Sequence, residues 1–176
     1  MTVAYQGVEG AFSHEACIRF LPDHDLAAFP TFSDVVAAVQ SGAADFGMLP
    51  LANNEAGETG ARELIEEASL RIVDEQVLPV RMHLLGLPNT TLDQVRTVVS
   101  HPIALRQCSE TLLRLGVSTE EVSNTALAAK ALSSPNRAVL ASEAAAAIYG
   151  LAILQRDSHN RADNATTFAI VSRAPQ

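Results

Sequence analysis

The sequence predicts an α/β fold built from two similar halves, and three observations lead to this prediction. Short runs of β-branched and apolar residues alternate with stretches whose apolar residues recur every three or four positions. The alternation continues from end to end, which is typical of α/β proteins with largely parallel strands. Residues 37–49 and 128–140 also share an outline, in which an alanine-rich helix end and a polar turn precede a short apolar strand.

The first half contains five predicted elements. They are a strand at Thr2–Tyr5, a helix at Ser13–Leu21, a helix at Phe32–Val39, a strand at Phe46–Leu49 and a helix at Ala61–Ala68. Ser13 is a candidate N-cap, because a serine hydroxyl can accept a hydrogen bond from the first helical turn. Pro22 ends that helix, and Ser41-Gly42 ends the next one.

The second half follows a long extended segment, Arg71–Leu87, which we interpret as the chain crossing from one half to the other. The elements expected after it are a strand at Thr97–Ser100, a helix at Pro102–Leu115, a strand at Val117–Val122, a helix at Thr125–Leu132, a strand at Arg137–Leu140, a helix at Glu143–Tyr149 and a strand at Thr167–Ser172. Pro102 suits a first helical turn, and Gly116 suits the position just past a helix.

The internal similarity predicts two lobes joined by crossing strands, with a ligand cleft between them. The first lobe comprises about residues 1–78 and 160–176, and the second about residues 79–159. Ligands of open α/β sheets lie beyond the carboxyl ends of the strands, so the loops there are the candidate binding segments. These loops are Gly7–Ser13, Pro50–Gly60, His101–Cys108 and Asn160–Phe168.

Helix starts within these loops offer a way to bind an anion without a lysine or arginine. The first backbone N–H groups of a helix lack intrahelical partners and carry a partial positive charge. Ser13 and the segment Pro102–Gln107 are therefore either anion-binding positions or ordinary helix caps, and the residues alone leave both alternatives open.

Composition excludes several classes of function. The formal charge of −8 and the single lysine, Lys130, argue against binding nucleic acid or an anionic membrane surface. The longest nearly apolar run, residues 144–154, is far shorter than the ~18 residues of a membrane span, and no secretory signal is evident, so we expect a cytoplasmic protein. Cys17 and Cys108 have neither metal-ligand nor disulfide spacing, so we expect no metal site.

Several ordered motifs resemble those of prephenate dehydratases. Residues 3–16, VAYQGVEGAFSHEA, are similar to the opening motif of that family, and residues 101–108, HPIALRQC, to its H-P-x-A-L-x-Q-C motif. Tyr149-Gly150-Leu151 matches Y-G-L, and Asn164–Phe168 is similar to N-x-T-R-F at the family's spacing from it. The resemblance covers essentially the whole chain.

The resemblance implies a fold of two α/β subdomains, like a small periplasmic-binding-protein type II unit, with the active site in the cleft. It implies decarboxylation and dehydration of prephenate, a small dianion, to phenylpyruvate in phenylalanine biosynthesis. No metal or organic cofactor is implied. Relatives associate, so a homodimer is possible, whereas the regulatory ACT domain and the chorismate mutase domain of some relatives are not expected here, nor is feedback by phenylalanine.

The resemblance also implies roles for individual residues. Thr166 matches the catalytic threonine, and the implied substrate-binding residues are Ser13, Asn53, Asn54, Ala104, Leu105, Gln107, Thr167 and Phe168. Phe168 has packing of the last strand as an equally good alternative. Cys108 lies on the apolar face of its predicted helix, so we expect it in the core.

Departures from the family pattern concentrate in two of these motifs. In the loop written P-I-E-N-S-x-E-G, Ala52 and Ala56 replace two glutamates and Asn54 replaces the serine. Thr167 replaces the arginine of T-R-F, and Arg156 or Arg161 could supply the missing charge unless they are surface residues. Two other functions therefore stay open: a prephenate decarboxylase that does not aromatise the ring, and a non-catalytic module that binds small anions.

Overall fold

A computed structural model describes residues 1–174 of the chain. The strands are β1 (Thr2–Gln6), β2 (Asp25–Phe29), β3 (Phe46–Asn53), β4 (Gly57–Glu58), β5 (Arg71–Pro79), β6 (His83–Gly86), β7 (Thr97–Ser100), β8 (Ser118–Glu121), β9 (Arg137–Ala141), β10 (Ala152–Gln155) and β11 (Ala165–Ser172). The α-helices are α1 (Phe12–Phe20), α2 (Phe32–Ser41), α3 (Ala61–Glu67), α4 (Pro102–Gln107), α5 (Ser109–Leu115), α6 (Thr125–Lys130) and α7 (Glu143–Tyr149), and Leu92–Gln94 forms a 3-10 helix. None of the helices in these residues is both long and hydrophobic enough to cross a bilayer.

The chain divides into two compact units. Unit 1 contains Met1–Val8, Phe12–Pro79 and the chain from Ala165 onward, whereas unit 2 contains Glu9–Ala11 and Val80–Asn164. Residues 160–164, expected in the first lobe, are thus grouped with unit 2. Residues 175 and 176, also expected there, lie outside the described residues.

Unit 1 has a sheet in the order β2-β1-β3-β11-β5, and β4 pairs with β3. The alternation of side chains along β1 explains how both faces are covered, because successive residues of a strand point to opposite faces. Val3 packs with Ala16 and Cys17 of α1, whereas Ala4 packs with residues of α2 and α3, such as Val35. The sheet therefore has a hydrophobic core on each face.

Unit 2 has a sheet in the order β10-β6-β9-β7-β8. Its largely alanine-lined core brings α6 and α7 against the central strands, with Ala129, Ala145 and Ala146 packed on Leu85 and Val139. Small side chains allow these short helices to lie close to the sheet.

The predicted α/β class is confirmed, but the expectation of largely parallel strands is wrong. β1 runs parallel to β2 and β3, and β7 runs parallel to β8 and β9. In contrast, β11 is antiparallel to β3 and β5, and β6 is antiparallel to β9 and β10. The direction of a pairing depends on the path of the chain between the two strands, which the pattern within each strand does not record.

Individual elements also differ from the prediction. The helix expected at Pro102–Leu115 is two helices, because Cys108 leaves the helical conformation with φ −116° and ψ 14°. Gly116 ends the second one in the left-handed conformation, φ 64°, as predicted. Strands β2 and β10 were not predicted, since both lie at sheet edges and neither shows a clear alternation of buried and exposed residues.

Candidate functional site

The candidate catalytic hydroxyl lies on β11, an inner strand of the sheet of unit 1. Thr166 is 8% exposed and stands directly opposite Asn53 of β3. The side-chain amide of Asn53 donates one hydrogen bond to Thr166 Oγ1 at 3.0 Å and another to the carbonyl oxygen of Ala165 at 3.0 Å. Antiparallel pairing therefore brings the two polar motifs of the sequence into contact.

The orientation of the Asn53 amide is fixed by the turn that follows it. Asn53 Oδ1 accepts hydrogen bonds from the backbone N–H groups of Glu55 at 3.0 Å and Ala56 at 2.9 Å. Its oxygen must face these two donors, so its nitrogen faces Thr166. Thr166 Oγ1 is consequently an acceptor toward Asn53, and within residues 1–174 its proton has no protein acceptor.

Asn54 holds the same segment of β11 through its backbone N–H group and its side-chain oxygen. Its backbone N–H donates to the carbonyl oxygen of Ala165 at 3.1 Å, and its Oδ1 accepts from the N–H of Ala165 at 3.0 Å. Two consecutive asparagines thus fix the residue that precedes Thr166. Gly57 closes this turn with a φ of +86°, a conformation that an L side chain would strain.

Two departures from the family pattern are neighbours in the sheet. Thr167 of β11 is paired with Ala52 of β3. The glutamate and the arginine that these residues replace would therefore stand opposite each other, at the distance of a cross-strand ion pair. Losing both removes an acid and a base together, so this pair of substitutions leaves the local charge unchanged.

Two other predicted site residues occupy different parts of unit 1. Phe168 is 1% exposed and packs in the core with Val3, Met48 and Leu78. This agrees with the alternative prediction that Phe168 packs the last strand. Ser13 is buried in the first turn of α1, which begins at Phe12. Its expected N-cap position is therefore wrong, because the helix starts one residue earlier.

The remaining predicted residues lie on α4 in unit 2. Ala104 and Leu105 are buried, and Gln107 is the last residue of the helix. The ring of His101 caps α4 by accepting the N–H of Ile103 on Nδ1 at 3.2 Å, in agreement with the capping alternative for this segment. Thr166, Thr167, Asn53 and Asn54 are therefore brought together, whereas the α4 residues belong to the other unit. Cys108 is fully buried, so its expected place in the core is confirmed.

Asn160 is a residue that the sequence analysis missed. Its side chain accepts from the N–H of Glu110 at 3.1 Å and donates to the carbonyl of Arg106 at 3.2 Å and to Ser109 Oγ at 3.0 Å. It thus provides hydrogen-bond partners for polar groups at the end of α4 and the start of α5. Its place at the start of a candidate loop is the only signal in the sequence.

The two arginines considered as replacements for the missing cation both have carboxylate partners. Arg156 forms two hydrogen bonds with Glu143, at 2.8 and 3.1 Å. Arg161 does the same with Asp163, at 2.7 and 3.0 Å. Each guanidinium lowers the pKa of its carboxyl partner. Both positive charges are therefore paired with carboxylates of unit 2.

A buried histidine beside this charged group predicts a loss of stability in acid. His83 accepts the N–H of Asp157 on Nδ1 at 3.0 Å. Burial lowers the pKa of His83 below its ordinary 6.5, an effect that Asp157 and Glu143 oppose and Arg156 and His159 reinforce. Between the two pKa values the unfolded chain binds more protons, so the free energy of unfolding falls as the pH falls below 6.5.

The measurement is urea unfolding at about pH 7.5 and about pH 5.5, for the wild type and for His83→Asn. Asparagine retains an acceptor for the N–H of Asp157 and does not titrate. We expect the wild type to lose more stability on acidification than the variant. Equal losses would show that His83 does not cause the pH dependence.

Within residues 1–174, no three histidine, cysteine, aspartate or glutamate side chains gather into a metal-binding group. The residues paired with Thr166 across the sheet are instead Asn53 on β3 and Leu78 on β5, and Asn53 supplies an amide. Such an arrangement can orient a hydroxyl and donate hydrogen bonds to an oxygen-rich ligand.

Comparison with known families and proteins agrees with the motifs. A family model described as prephenate dehydratase matches residues 3–176. The Arabidopsis thaliana protein arogenate dehydratase/prephenate dehydratase 2, chloroplastic, is 38% identical over 177 residues, which cover 98% of this chain and 46% of that protein. The chain spans about half the length of this curated relative.

Comparison with solved structures also finds a prephenate dehydratase. The prephenate dehydratase of Arthrobacter aurescens, in complex with L-Phe, matches with a TM-score of 0.91 and 26% identity, over 100% of this chain and 61% of that one. GqqA, described as a novel type of quorum-quenching acylase, matches with a TM-score of 0.92 and 34% identity, over 100% of this chain and 65% of that one. A periplasmic substrate-binding protein from Coxiella burnetii shares the fold alone, with a TM-score of 0.51 and 12% identity over 98% of this chain and 85% of that one.

Proposed function

Because the chain belongs to the prephenate dehydratase family, we propose that it converts prephenate into phenylpyruvate, carbon dioxide and water. The observation that supports this proposal is the hydroxyl of Thr166, whose oxygen is engaged by Asn53 and whose proton is available to a ligand. In the reaction, the electrons of the breaking carbon–carboxylate bond enter the ring as the carbon–oxygen bond to the ring hydroxyl breaks. The ring becomes aromatic, so the departing oxygen is the group that needs assistance.

Thr166 assists by donating a hydrogen bond to that oxygen. A threonine hydroxyl is too weak an acid to be deprotonated fully at neutral pH, so we assign it a preorganised hydrogen bond rather than complete proton transfer. Asn53 contributes by occupying the acceptor side of the hydroxyl. The proton that completes the leaving water comes from solvent.

In this proposal, neutral polar groups bind the dianion. Asn54, Thr167 and Ser13 are the proposed binding residues of unit 1. Hydrogen bonds to a charged ligand are stronger than those between neutral groups, so such residues can bind a carboxylate without a nearby arginine.

Prephenate is proposed over arogenate as the substrate. Arogenate is the amino acid counterpart of prephenate, so its side chain carries an ammonium group that a carboxylate would bind well. Ala52 and Ala56 replace the two glutamates of the family loop beside Asn53, so neither position offers a carboxylate to that ammonium. Positions 52 and 56 therefore lack carboxylates that could bind this ammonium, whereas Glu55 of the same turn retains one.

A direct assay of the products tests this proposal. Purified protein is incubated separately with prephenate and with arogenate near neutral pH, and products are followed by absorbance and mass. We expect phenylpyruvate from prephenate, at a higher kcat/KM than phenylalanine from arogenate. Faster conversion of arogenate would reverse the substrate assignment, a dihydro-hydroxyphenylpyruvate would indicate decarboxylation alone, and binding of prephenate without turnover would indicate a binding module.

The acylase activity for which GqqA is named is not part of this proposal. Amide hydrolysis by a threonine nucleophile requires a base that takes the hydroxyl proton. Among residues 1–174, the hydrogen-bond partner of Thr166 Oγ1 is the amide nitrogen of Asn53, which donates and cannot accept that proton. Thr166 is therefore arranged as a donor and not as a nucleophile.

A further inference from the structure

The tip of the loop between β1 and α1 packs on helix α7. Residues Glu9–Ala11 belong to unit 2, although the chain on both sides of them belongs to unit 1. Gly10 has a φ of +84°, and a Cβ placed on it would lie 3.0 Å from the Cα of Ala145. Rotation of a side chain cannot relieve a contact with a backbone atom. Glycine is therefore required here both by the backbone conformation and by the close approach to α7.

A buried serine at the start of α7 binds this loop. Ser142 is 2% exposed, and its hydroxyl donates to the carbonyl oxygen of Gly10 at 2.9 Å. The same hydroxyl accepts the N–H of Ala145 at 3.1 Å, which makes Ser142 the N-cap of the helix. One side chain thus caps α7 and holds the loop.

A tyrosine at the other end of α7 binds the preceding carbonyl. The hydroxyl of Tyr149 donates to the carbonyl oxygen of Glu9 at 2.6 Å. Burial raises the pKa of Tyr149, and the negative charge of Glu9 raises it further. The phenol therefore remains a protonated donor at neutral pH.

The two hydrogen bonds fix two consecutive peptide planes. In a trans peptide the C=O and N–H groups point in opposite directions, so holding the carbonyls of Glu9 and Gly10 also sets the directions of the N–H groups of Gly10 and Ala11. Ala11 leads directly into α1, and Ser13 lies in the first turn of that helix. The chain therefore passes directly from the loop tip into this turn.

We propose that Tyr149 and Ser142 are positioning residues for the reaction, acting through the Glu9-Gly10 backbone on Ser13. The inference rests on the proposed function, in which Ser13 binds the substrate. It gives the Y-G-L motif a physical role, because Tyr149 contacts a residue of the first motif that lies 140 positions away in sequence.

Tyr149→Phe tests the proposal because it removes only the hydroxyl. We expect KM for prephenate to rise about five- to tenfold, as the loss of one hydrogen bond that orders a binding segment predicts, with kcat within about twofold of the wild type. Ser142→Ala should raise KM similarly and also lower Tm, because the cap of α7 is lost. The matched control is Asn124→Ala, which removes the N-cap of α6 and should lower Tm without changing KM.

A double-mutant cycle separates positioning from a general structural effect. If Tyr149 acts through Ser13, Tyr149→Phe causes no further rise in KM in a Ser13→Ala background, whereas fully additive effects overturn the proposal. An unchanged KM in Tyr149→Phe, in a wild type that turns prephenate over, also overturns it without affecting the proposed function.

Amide hydrogen exchange of residues 9–13 gives a readout that does not depend on turnover. Exchange there should be faster in Tyr149→Phe and Ser142→Ala, and unchanged in Asn124→Ala. Unchanged exchange in Tyr149→Phe overturns the proposal. A wild type that converts neither prephenate nor arogenate would show that the proposed function has failed, and the exchange rates would then still decide whether α7 holds the loop.

Discussion

Replacing Thr166 with alanine is expected to lower kcat for prephenate by about 10²–10⁴-fold, the range typical of assistance to a leaving group. The hydroxyl of Thr166 is oriented by Asn53, and its proton is available to the departing oxygen. The change in stability should be small, at about 1 kcal/mol, because the Asn53 amide keeps its hydrogen bond to the carbonyl of Ala165.

Steady-state kinetics and thermal unfolding check this expectation together. Thr166→Ser retains the hydroxyl and should retain most of the activity. Thr97→Ala removes a threonine hydroxyl from a strand of unit 2, where it contacts Ser118, and should leave kcat unchanged. A Thr166→Ala protein with the kcat of the wild type would remove this residue from the mechanism.

Asn53→Asp is expected to lower kcat by about 10²-fold, the lower end of the range for losing one preorganised donor. An aspartate can still accept the N–H groups of Glu55 and Ala56, so these two hydrogen bonds of the turn are kept, whereas the donation to the carbonyl oxygen of Ala165 is lost. It cannot donate to Thr166, and the threonine hydroxyl would instead donate to the new carboxylate. The hydroxyl proton of Thr166 would then point at this carboxylate instead of at the departing oxygen.

The dependence on pH gives this prediction a specific signature. As the pH falls toward the pKa of the new carboxyl group, protonation restores a donor, so the activity of Asn53→Asp relative to the wild type should rise. Asn124→Asp is the matched control, because Asn124 uses only its side-chain oxygen to cap α6. A variant at position 53 with normal kcat at neutral pH would show that the direction of this hydrogen bond is unimportant.

Much of the fold was predictable because local patterns record it. The spacing of apolar residues gave the helices and most of the strands, and Gly116 ends its helix as expected. The break at Cys108 was not predictable, since Leu105 and Leu112 continue the apolar face across it. The antiparallel course of β11 depends on contacts with strands far earlier in the sequence, such as the pairing of Phe168 with Gln76, 92 positions away.

The candidate site was predictable as a set of residues but not as an arrangement. The motifs identified Thr166 and Asn53, yet their hydrogen bond joins residues 113 positions apart. In the sequence, positions 52 and 167 lie far apart, so the loss of an acid at one and of a cation at the other look like separate changes. Only the pairing of β3 with β11 shows that positions 52 and 167 stand opposite each other in the sheet.

The position of β11 in its sheet has a consequence for biosynthesis. This strand follows all the other strands of the described residues in sequence, yet it lies between β3 and β5 and joins them. The sheet of unit 1 therefore stays incomplete until Ala165–Ser172 has left the exit tunnel, although most of its strands are translated first. All strands of unit 2 are translated before then, so unit 1, whose first strands precede them, is the later of the two units to complete its sheet.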